Sequence, residues 1–581
     1  MNKLQANICL LTVTLCWSTE ILIFAIVATG LNPFATACIP SIIASLMLLL
    51  CFGGRVIKEL RQDKMLLFKR ILQLSALNIT YNIFFAYAMN SIDVMIGAFL
   101  TALTVAILPF MMLVMGRKVA VRTWISAAIV LLGIGIAISS TATPTLLMPI
   151  GVFIIGDTLR AYFILKLNGY AREHDTISLA TGMVVFNSIF SFIPWFIVQP
   201  ATFFAITWTT EVIASLFVYA YFVVAFTWVL NTCAQRYASA AQAAFIYALE
   251  IVFTLVLTLL VPADLVDSGE LSLPILLGCG LVLLGNIIKA LPIGNDIEEA
   301  QAQEIAREHE LAREQRAVKE QSVIAAAGTE VIAAAGANVA MSSEVREAVQ
   351  VGEELAAMEE GSQEADKLSS SLPPTMPEIV IHPVAVAREH LKSPRARTIA
   401  LFFGLLAIYL LIAIPFKVLV VIPGFTDIRP VYMLHPVYGI FFGIPGCLAL
   451  AVGNLITDIL SDALRLTSIA GFITNFLYPY MMYVFWDKLR RKDFNLRRAT
   501  TIALFALSTV VCSLVQTIII TPTVGYFYPT VDLGLLALTI FLNGTLFPTF
   551  FSIPFIILIQ EEFGFKTVPE KKAAQTQYKL V

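Results

Sequence analysis

Two stretches of the sequence, Ala88–Leu103 (AMNSIDVMIGAFLTAL) and Ala234–Leu249 (AQRYASAAQAAFIYAL), align with each other without a gap. Each is followed by an apolar run that ends in glycine. These runs are Ile129–Gly133 (IVLLG) in the first case and Leu281–Gly285 (LVLLG) in the second. We therefore interpret the first half of the chain as one structural unit that is present twice.

The composition is that of a membrane protein. Hydrophobic residues make up 58% of the chain and charged residues 13%, whereas ordinary globular chains are about 45–50% apolar and about 25% charged. Apolar runs of roughly 18 or more residues recur, and each is long enough to cross a ~30 Å hydrocarbon core. The first run begins almost at Met1 without a basic segment and cleavage site, which indicates a retained helix. Internal repeats in such proteins are typical of carriers.

Residues 293–397 differ from the rest of the chain. From Asp296 to Arg397 there are 19 acidic and 10 basic residues, with a repeated octet, VIAAAGTE and VIAAAGAN, at 323–338. Asp296 and Glu299 are spaced as a capping box, which predicts a charged helix to about Gln321. Because low hydrophobicity with charge does not support a packed core, we predict a partly disordered cytosolic linker.

Cysteines and linker histidines give no sign of a metal site. The eight cysteines are scattered through apolar segments without a CxxC motif, which indicates buried structural side chains. His309, His382 and His390 occur singly in the linker and are expected to be solvent-exposed.

Ten membrane spans are predicted in a first domain, residues 1–292. They lie near 5–29, 34–53, 71–89, 92–115, 123–140, 148–167, 177–198, 210–232, 238–260 and 273–291. The loops at 54–70 and 116–122 are rich in lysine and arginine, whereas the loops on the opposite side carry acidic residues and neither Lys nor Arg. The positive-inside rule then places both ends of this domain in the cytoplasm.

Five spans per copy is an odd number, so the second copy is inverted relative to the first. The 5+5 plan, Trp17-Ser18 in the first span and the glycine-terminated repeat ends resemble the drug/metabolite transporter superfamily, in particular EamA-type carriers. The resemblance covers residues 1–291 and implies transport of a small organic metabolite. The family often has a Gly-Glu pair after the fourth span. Here Gly116-Arg117 follows the fourth span and Pro262-Ala263-Asp264 follows the ninth.

A second membrane domain is predicted at 398–563, followed by a cytosolic tail at 564–581. Clear spans lie near 399–421, 468–486, 499–521 and 533–559, and an apolar stretch at 431–463 is interrupted by proline and glycine. If that stretch crosses twice, the basic loop at 487–498 lies inside. The positive-inside rule therefore favours six spans here and about sixteen in total.

This second domain has its own pattern of motifs. It contains Asp427-Ile428-Arg429-Pro430, a glycine-rich segment at 439–446, GNLITD at 453–458 and GFITN at 471–475. These motifs resemble the six-helix, substrate-binding S components of energy-coupling factor vitamin transporters. The resemblance implies a coupling membrane protein with ATPases as partners, docked through the Ala400/Gly404 face. The chain has no GxxxxGK[ST] loop, so any ATP use would come from other polypeptides.

Ionisable residues inside the spans are candidates for transport chemistry, because a charge in hydrocarbon costs at least ~2.5–3.5 kcal/mol. Glu20 lies deep in the first span beside Trp17. Glu250 lies mid-span in the ninth, with Tyr247 on the same helix face. In the repeat alignment Glu250 matches Thr104, so one copy alone carries the charge. A single acid of this kind indicates proton coupling or recognition of a cationic group; a structural helix contact is the alternative.

Other polar residues of the first domain are weaker candidates. Asp157 and Arg160 in the sixth span are three residues apart and are expected to pair with each other, as a site or as a structural ion pair. Tyr81 and Asn82 in the third span, and Asn187 in the seventh, are further candidates.

In the second domain, Asn454, Asp458 and Asp462 are spaced to share one helix face. Asn475, Tyr478, Gln516 and Asn543 follow in later spans, and Arg429 is expected at the outer mouth. Amides and acids that converge in this way favour a pocket for a polar, ring-containing small molecule, with structural contacts as the alternative.

The leading interpretation is an all-α polytopic protein of the plasma membrane: a secondary carrier fused to an S-component-like substrate-binding domain, with cytoplasmic termini and linker. One alternative is the S component of an ATP-driven vitamin uptake system. Another is a Mg²⁺-dependent membrane transferase that uses Asp458 and Asp462. Because the sequence has no second acidic cluster and no cofactor motif, we expect a non-enzyme without cofactor, metal or nucleic-acid partner.

Overall fold

Nearly all of the described residues are helical in a computed structural model of the chain. The structure describes residues 1–19, 33–62, 65–89, 91–92, 94–139, 147–260, 272–290, 394–417, 420–422, 426–489 and 495–567. Glu20, the predicted linker up to residue 393 with its three histidines, and the tail from 568 onward lie outside the described residues.

The first membrane block begins at the N-terminus with α1 (Lys3–Ser18). Asn2 caps this helix: its side-chain oxygen accepts a 2.9 Å hydrogen bond from the backbone N–H of Gln5, and the Gln5 side-chain oxygen accepts one of 2.8 Å from the backbone N–H of Asn2. Such a capping box satisfies backbone donors that the first helical turn leaves free. The helices that follow are α2 (Pro33–Gln62), α3 (Leu66–Met89), α4 (Val94–Thr101), α5 (Thr104–Val114), α6 (Val121–Ser139), α7 (Leu147–Glu173), α8 (Thr176–Val198), α9 (Thr210–Val218), α10 (Thr227–Gln235), α11 (Ala240–Tyr247), α12 (Glu250–Leu260) and α13 (Leu273–Ala290).

The second membrane block contains α14 (Pro394–Phe416), α15 (Leu434–Phe442), α16 (Ile444–Leu460), α17 (Ser468–Leu489), α18 (Ala499–Phe527), α19 (Leu533–Phe547) and α20 (Ile553–Glu561). A short antiparallel pair, β1 (Val420–Ile422) and β2 (Thr426–Asp427), joins α14 to the 3₁₀ turn Pro430–Met433. Gly443 separates α15 from α16 with φ +62°, a conformation that glycine adopts readily. The stretch at 431–463 therefore contains two helices, and the two membrane crossings predicted from the charge of the following loop stay a prediction.

Eleven helical stretches of the described residues are long and apolar enough to cross a membrane, and four of them join helices numbered separately above: α4 with α5, α9 with α10, α11 with α12, and α19 with α20. The prediction of an all-α polytopic membrane protein is confirmed. Five helices that correspond to predicted spans, α1, α3, α15, α16 and α17, are not among those eleven, and the total of sixteen spans stays a prediction.

The fourth and ninth predicted spans are each interrupted, and the interruptions fall at matching positions of the two aligned stretches. Helix α4 ends at Thr101 and α11 at Tyr247, whereas α5 starts at Thr104 and α12 at Glu250. At each interruption the backbone forms a tight i→i+3 bond of 3.0 Å, Leu103 N to Leu100 O in one copy and Leu249 N to Ile246 O in the other. This correspondence supports the predicted repeat, whose inverted relation stays a prediction.

The glycine-terminated repeat ends pack against each other. Helices α6 and α13 approach so closely that a Cβ atom on Gly133 would lie 2.8 Å from the carbonyl oxygen of Gly278. A Cβ on Gly285 would lie 2.7 Å from the Val130 side chain. Small residues permit this close approach where lipid supplies no hydrophobic driving force between helices.

The two membrane blocks pack together within one compact unit. In α1, the Thr12 hydroxyl donates a 2.8 Å hydrogen bond to the carbonyl oxygen of Phe550 in the second block. Two π-helical segments, Tyr219–Phe226 and Pro548–Ser552, meet at this interface, where the rings of Phe222 and Phe551 lie 6.0 Å apart. Single π turns inside helices are frequent at functional sites.

Candidate functional site

The residues that directly follow the two helix interruptions, Thr104 and Glu250, both contact helix α7. Glu250, which begins α12, forms an ion pair of 3.7 Å with Arg160. Thr104, which begins α5, donates a 2.5 Å hydrogen bond to the carboxylate of Asp157. The repeat-related positions thus contact residues that lie almost one turn apart on α7. The backbone at both positions stays in the right-handed helical region, so each interruption is one tightened turn inside a continuous span.

The side chains of Asp157, Arg160 and Glu250 are largely buried, so an unpaired charge among them would cost free energy. Asp157 is fully buried, whereas the side chains of Arg160 and Glu250 keep 12% and 25% of their surface exposed. The ion pair is therefore mostly, but not completely, enclosed by the protein. One oxygen of Asp157, Oδ2, is buried without a hydrogen-bond partner among the described residues.

Asp157 and Arg160 form no direct ion pair in the described part of the chain, although their opposite charges attract each other along α7. Arg160 forms its ion pair with Glu250, and Asp157 accepts its hydrogen bond from Thr104. The reason lies in the chain restart at Glu250, which brings a carboxylate from a distant segment to the guanidinium. The local i,i+3 spacing of Asp157 and Arg160 permits a pair but does not require one.

Aromatic rings and amides surround the ion pair. Trp17 packs against Tyr247 with ring centroids 5.2 Å apart, and also against Trp228 at 6.2 Å. The Tyr247 hydroxyl donates to the side chain of Asn231 and accepts a 2.8 Å hydrogen bond from Gln235. Trp17 and Tyr247 were candidates from the sequence, whereas the α10 residues were missed. The sequence marks them by two polar residues, Asn231 and Gln235, spaced four apart inside an apolar span.

The two candidates in the third predicted span, Tyr81 and Asn82, lie in different environments. Tyr81 is buried and donates a 2.6 Å hydrogen bond to Asn78, and its ring lies 5.8 Å from that of Phe163. Asn82 is exposed on the outer surface of α3. A one-residue step turns Asn82 about 100° away from Tyr81, and its place in the site stays a prediction. Asn187 is buried in α8.

The second block contains a chain of polar contacts built from four predicted residues and from Lys417, which was not predicted from the sequence. Lys417 Nζ lies 3.0 Å from Asp458 Oδ1, and the amide of Asn454 lies 3.4 Å from Asp458 Oδ2. Arg429 donates from its guanidinium to Asn454 (3.1 Å) and from its backbone N–H to Asn543 (3.0 Å). Residues far apart in sequence are thereby joined across α14, α16 and α19.

A stack of rings lies beside this chain. His435 and Tyr432 are stacked with centroids 4.4 Å apart, and the Tyr478 ring meets His435 edge-on at 5.2 Å. His435 Nε2 lies 2.8 Å from the side-chain oxygen of Asn475, and Gln516 donates a 2.6 Å hydrogen bond to the Tyr432 hydroxyl. His435 and Tyr432 were missed. A single histidine between Leu434 and Pro436 has no local pattern that marks it.

Asp462 does not share the face of Asn454 and Asp458, so that expectation is wrong. Helix α16 ends at Leu460, and Asp462 is exposed with φ +51°. Asp458 pairs with Lys417 instead. Within the described ranges no group of three or more His, Cys, Asp or Glu side chains is placed to hold a metal ion. The Asp458/Asp462 pair required by the transferase alternative is not formed.

These features define the chain as a multi-pass helical membrane protein with charged and polar clusters inside its bundle. The model of the EamA-like transporter family matches residues 4–139. This match covers less than a quarter of the chain and supports the predicted relationship of the first block to the drug/metabolite transporter superfamily. It indicates a membrane transporter of small molecules.

Other comparisons add little. Among curated proteins, none matches this chain. A solved structure described as "Crystal structure of protein" is 15% identical, covers 49% of this chain and 96% of its own, and has a TM-score of 0.39. No argument about fold or function follows from a similarity at that score. The resemblance of the second block to S components stays a prediction.

Proposed function

We propose that the protein is a secondary carrier for a small organic metabolite that bears charge, located in the plasma membrane with cytoplasmic termini. The observation that carries this proposal is the ion pair of Arg160 and Glu250 at a helix interruption. An ionisable residue inside a membrane is costly and marks substrate or ion pathways. The partly exposed carboxylate and guanidinium supply partners for a proton, a cationic group or an anionic group of the substrate.

In the proposed mechanism, a proton or a charged group of the substrate competes with the ion pair of Arg160 and Glu250 for one of its two members. Glu250 neutralises Arg160, so the buried charge is compensated. A substrate group or a proton that engages one member releases the other, and the free member then favours a different packing around α7. Coupling of this kind needs differential binding to two states, which an ion pair between separate segments supplies.

Replacing Glu250 with glutamine tests this function. Glu250→Gln keeps the shape of the side chain and removes its charge. We expect proton-driven flux of a metabolite panel in proteoliposomes to lose its pH dependence and fall by about tenfold or more, since a charge-assisted contact is worth roughly 1.5–3 kcal/mol. The measurement is flux with and without an imposed pH gradient.

The matched control for Glu250→Gln is Thr104→Ser at the repeat-related position. It keeps the hydroxyl that binds Asp157, so flux should stay near that of the unmodified protein. Unchanged pH dependence in Glu250→Gln, at normal expression and membrane insertion, would exclude Glu250 from coupling.

We also propose that the second block binds a polar, ring-containing molecule and that its Ala400/Gly404 face docks a coupling membrane protein with ATPases. Two features support this proposal. The stacked rings of Tyr432 and His435 lie beside amide and charged side chains. Ala400 and Gly404 are exposed on α14, where a Cβ atom added to Gly404 meets no atom within 4 Å.

A bulky side chain on α14 tests the docking face. Gly404→Leu should fill this face and abolish co-purification of ATPases from the native membrane, because small-residue faces require close helix approach. The measurement is mass spectrometry of the mildly solubilised, tagged protein, scored for polypeptides and for retained small molecules. Equal recovery of ATPases with both proteins would remove this surface as the docking site. Their absence from the unmodified protein would favour a carrier that works alone.

A further inference from the structure

An ionic cluster lies where the predicted cytoplasmic loops of the first block meet. We define this end cluster as Arg55, Glu59, Arg70, Glu173, His174 and Asp175. Its members come from the end of α2, the start of α3 and the turn between α7 and α8. His174 Nδ1 lies 3.3 Å from Glu59, and its Nε2 lies 2.7 Å from Arg70. Arg70 also pairs with Glu173.

The end cluster connects α2, α3 and the start of α8, three helices that would have to move apart if the first block opened at this end. Glu59 accepts a 2.8 Å hydrogen bond from the backbone N–H of Asp175, and Arg55 pairs with the Asp175 carboxylate at 2.5 Å. The side chain of His174 is only 2% exposed, so water reaches little of this contact. The cluster therefore closes the space between α2, α3 and α8 at this end.

The second block adds a carboxylate to the same region. Glu562, directly after α20, accepts a 3.3 Å hydrogen bond from Thr176 at the start of α8. It also lies 4.0 Å from the guanidinium of Arg236, and its side chain is 5% exposed. Arg236 in turn donates to the carbonyl oxygens of Ala171 (2.8 Å) and His174 (2.5 Å). Glu562 is thus joined to the backbone of the end cluster.

Neighbouring residues anchor this carboxylate in place. Glu561 accepts a 3.1 Å hydrogen bond from the N-terminal amine of Met1 and binds the guanidinium of Arg497 at 3.0 Å. Burial raises the pKa of the Tyr237 phenol above its ordinary value, and the negative charge of Glu562 raises it further. The carboxylates of Glu561 and Glu562 thus lie where the ends of the two blocks meet.

We propose that the end of α20 controls the opening of the first block. Glu562 holds the start of α8 to the turn after α10 through Thr176 and Arg236, so the first block opens at this end only when that contact breaks. This inference rests on the proposed carrier function. It assigns the second block a regulatory role: a change in its packing around α20 is transmitted to the end cluster. The polar chain from Tyr247 through Gln235 to Asn168 connects the ion-pair site to the same end.

A buried thiol next to this contact reports the opening. Cys233 is fully buried and donates a 3.3 Å hydrogen bond to the Thr176 hydroxyl, which itself binds Glu562. A buried thiol reacts with a maleimide only through local opening, so its labelling rate follows the open population. Cys512, buried in α18 of the second block, serves as the internal reference.

The experiment compares labelling of the purified full chain in nanodiscs with N-ethylmaleimide, scored at each cysteine by peptide mass spectrometry. In Glu562→Gln we expect Cys233 to react about tenfold faster, the change that loss of one hydrogen bond to a charged group produces. Glu562→Asp, which keeps the charge on a shorter side chain, should give a smaller increase. Asp487→Asn removes an exposed acid near the basic loop and should leave the rate unchanged.

The outcomes separate regulation from misfolding and from the proposed function. A faster rate at Cys233 with a constant rate at Cys512 supports the proposal. Arg236→Gln should then add less in the Glu562→Gln background than in the unmodified protein, because the two residues share the Glu562 contact whereas the bonds of Arg236 to Ala171 and His174 are independent of it. Equal rates in Glu562→Gln and the unmodified protein would overturn it, as would equal acceleration at both cysteines. The readout involves no transport, so absent flux would count against the carrier function alone.

Discussion

Arg160→Met is expected to destabilise the protein by about 3–5 kcal/mol, because it leaves buried carboxylates without their compensating charge. Asp157 is fully buried and has one unpartnered oxygen among the described residues, and Glu250 loses its ion pair. Methionine fills a similar length of the cavity, so the loss reflects charge rather than packing. The measurement is the free energy of unfolding of the detergent-purified chain, from a denaturant titration, with the thermal midpoint as a second readout.

Two further variants test the origin of that loss. Combining Arg160→Met with Glu250→Gln should cost less than the sum of the single changes, because the double variant removes both members of the pair. Thr158→Val, on the exposed face of the same helix, should stay within about ±0.5 kcal/mol. If Arg160→Met were as stable as Thr158→Val, the ion pair would contribute nothing to the fold.

The sequence predicts the local part of this site and not its partners. Apolar runs and helical spacing placed Trp17, Tyr247 and Glu250 inside the bundle, and the repeat alignment linked Glu250 to Thr104. The pairing of Glu250 with Arg160 joins residues 90 positions apart, and one sequence carries no signal for such a contact. A short i,i+3 spacing pointed to Asp157 instead, because it was the nearest acid in the chain.

Helix ends set a second limit. Asp462 continues the four-residue spacing of Asn454 and Asp458, yet the backbone leaves the helix after Leu460. No proline or glycine marks this end, so the helical pattern appeared to run on. The fourth and ninth spans show the same difficulty, since their matching interruptions contain Ala102-Leu103 and Ala248-Leu249. Helix-forming residues give no warning of a break that tertiary packing imposes.

Histidines show the limit most clearly. The polar sequence around the three linker histidines predicts that they are solvent-exposed. No comparable pattern predicts the burial of His174 and His435, which are buried in the structure. Each buried histidine gains its role from partners in distant segments: Glu59 and Arg70 for His174, and Asn475 for His435. Type and spacing alone do not distinguish such a residue from a solvent-exposed one.

Gly439→Ala is expected to prevent correct packing of the second block, at a cost of about 4 kcal/mol or more. A Cβ atom at this position would lie 2.0 Å from the carbonyl oxygen of Pro479 and 2.8 Å from its carbonyl carbon. Both atoms belong to the backbone of α17, so no side-chain rotation relieves the overlap and the helices must separate. Separation would also disturb the contact of His435, on α15, with Asn475, on α17. The measurement is the monodisperse fraction after solubilisation, followed by the thermal unfolding midpoint.

The matched control is Gly404→Ala on α14, where an added Cβ meets no atom within 4 Å. Glycine inside a helix costs roughly 0.5–1 kcal/mol relative to alanine, so this variant should be as stable as the unmodified protein or slightly more stable. Both variants add one methyl group to a helical glycine in the same block, and they differ only in what that group meets. Equal stability of the two would mean that α15 and α17 do not approach at Gly439, and the arrangement of the ring stack beside them would then be wrong as well.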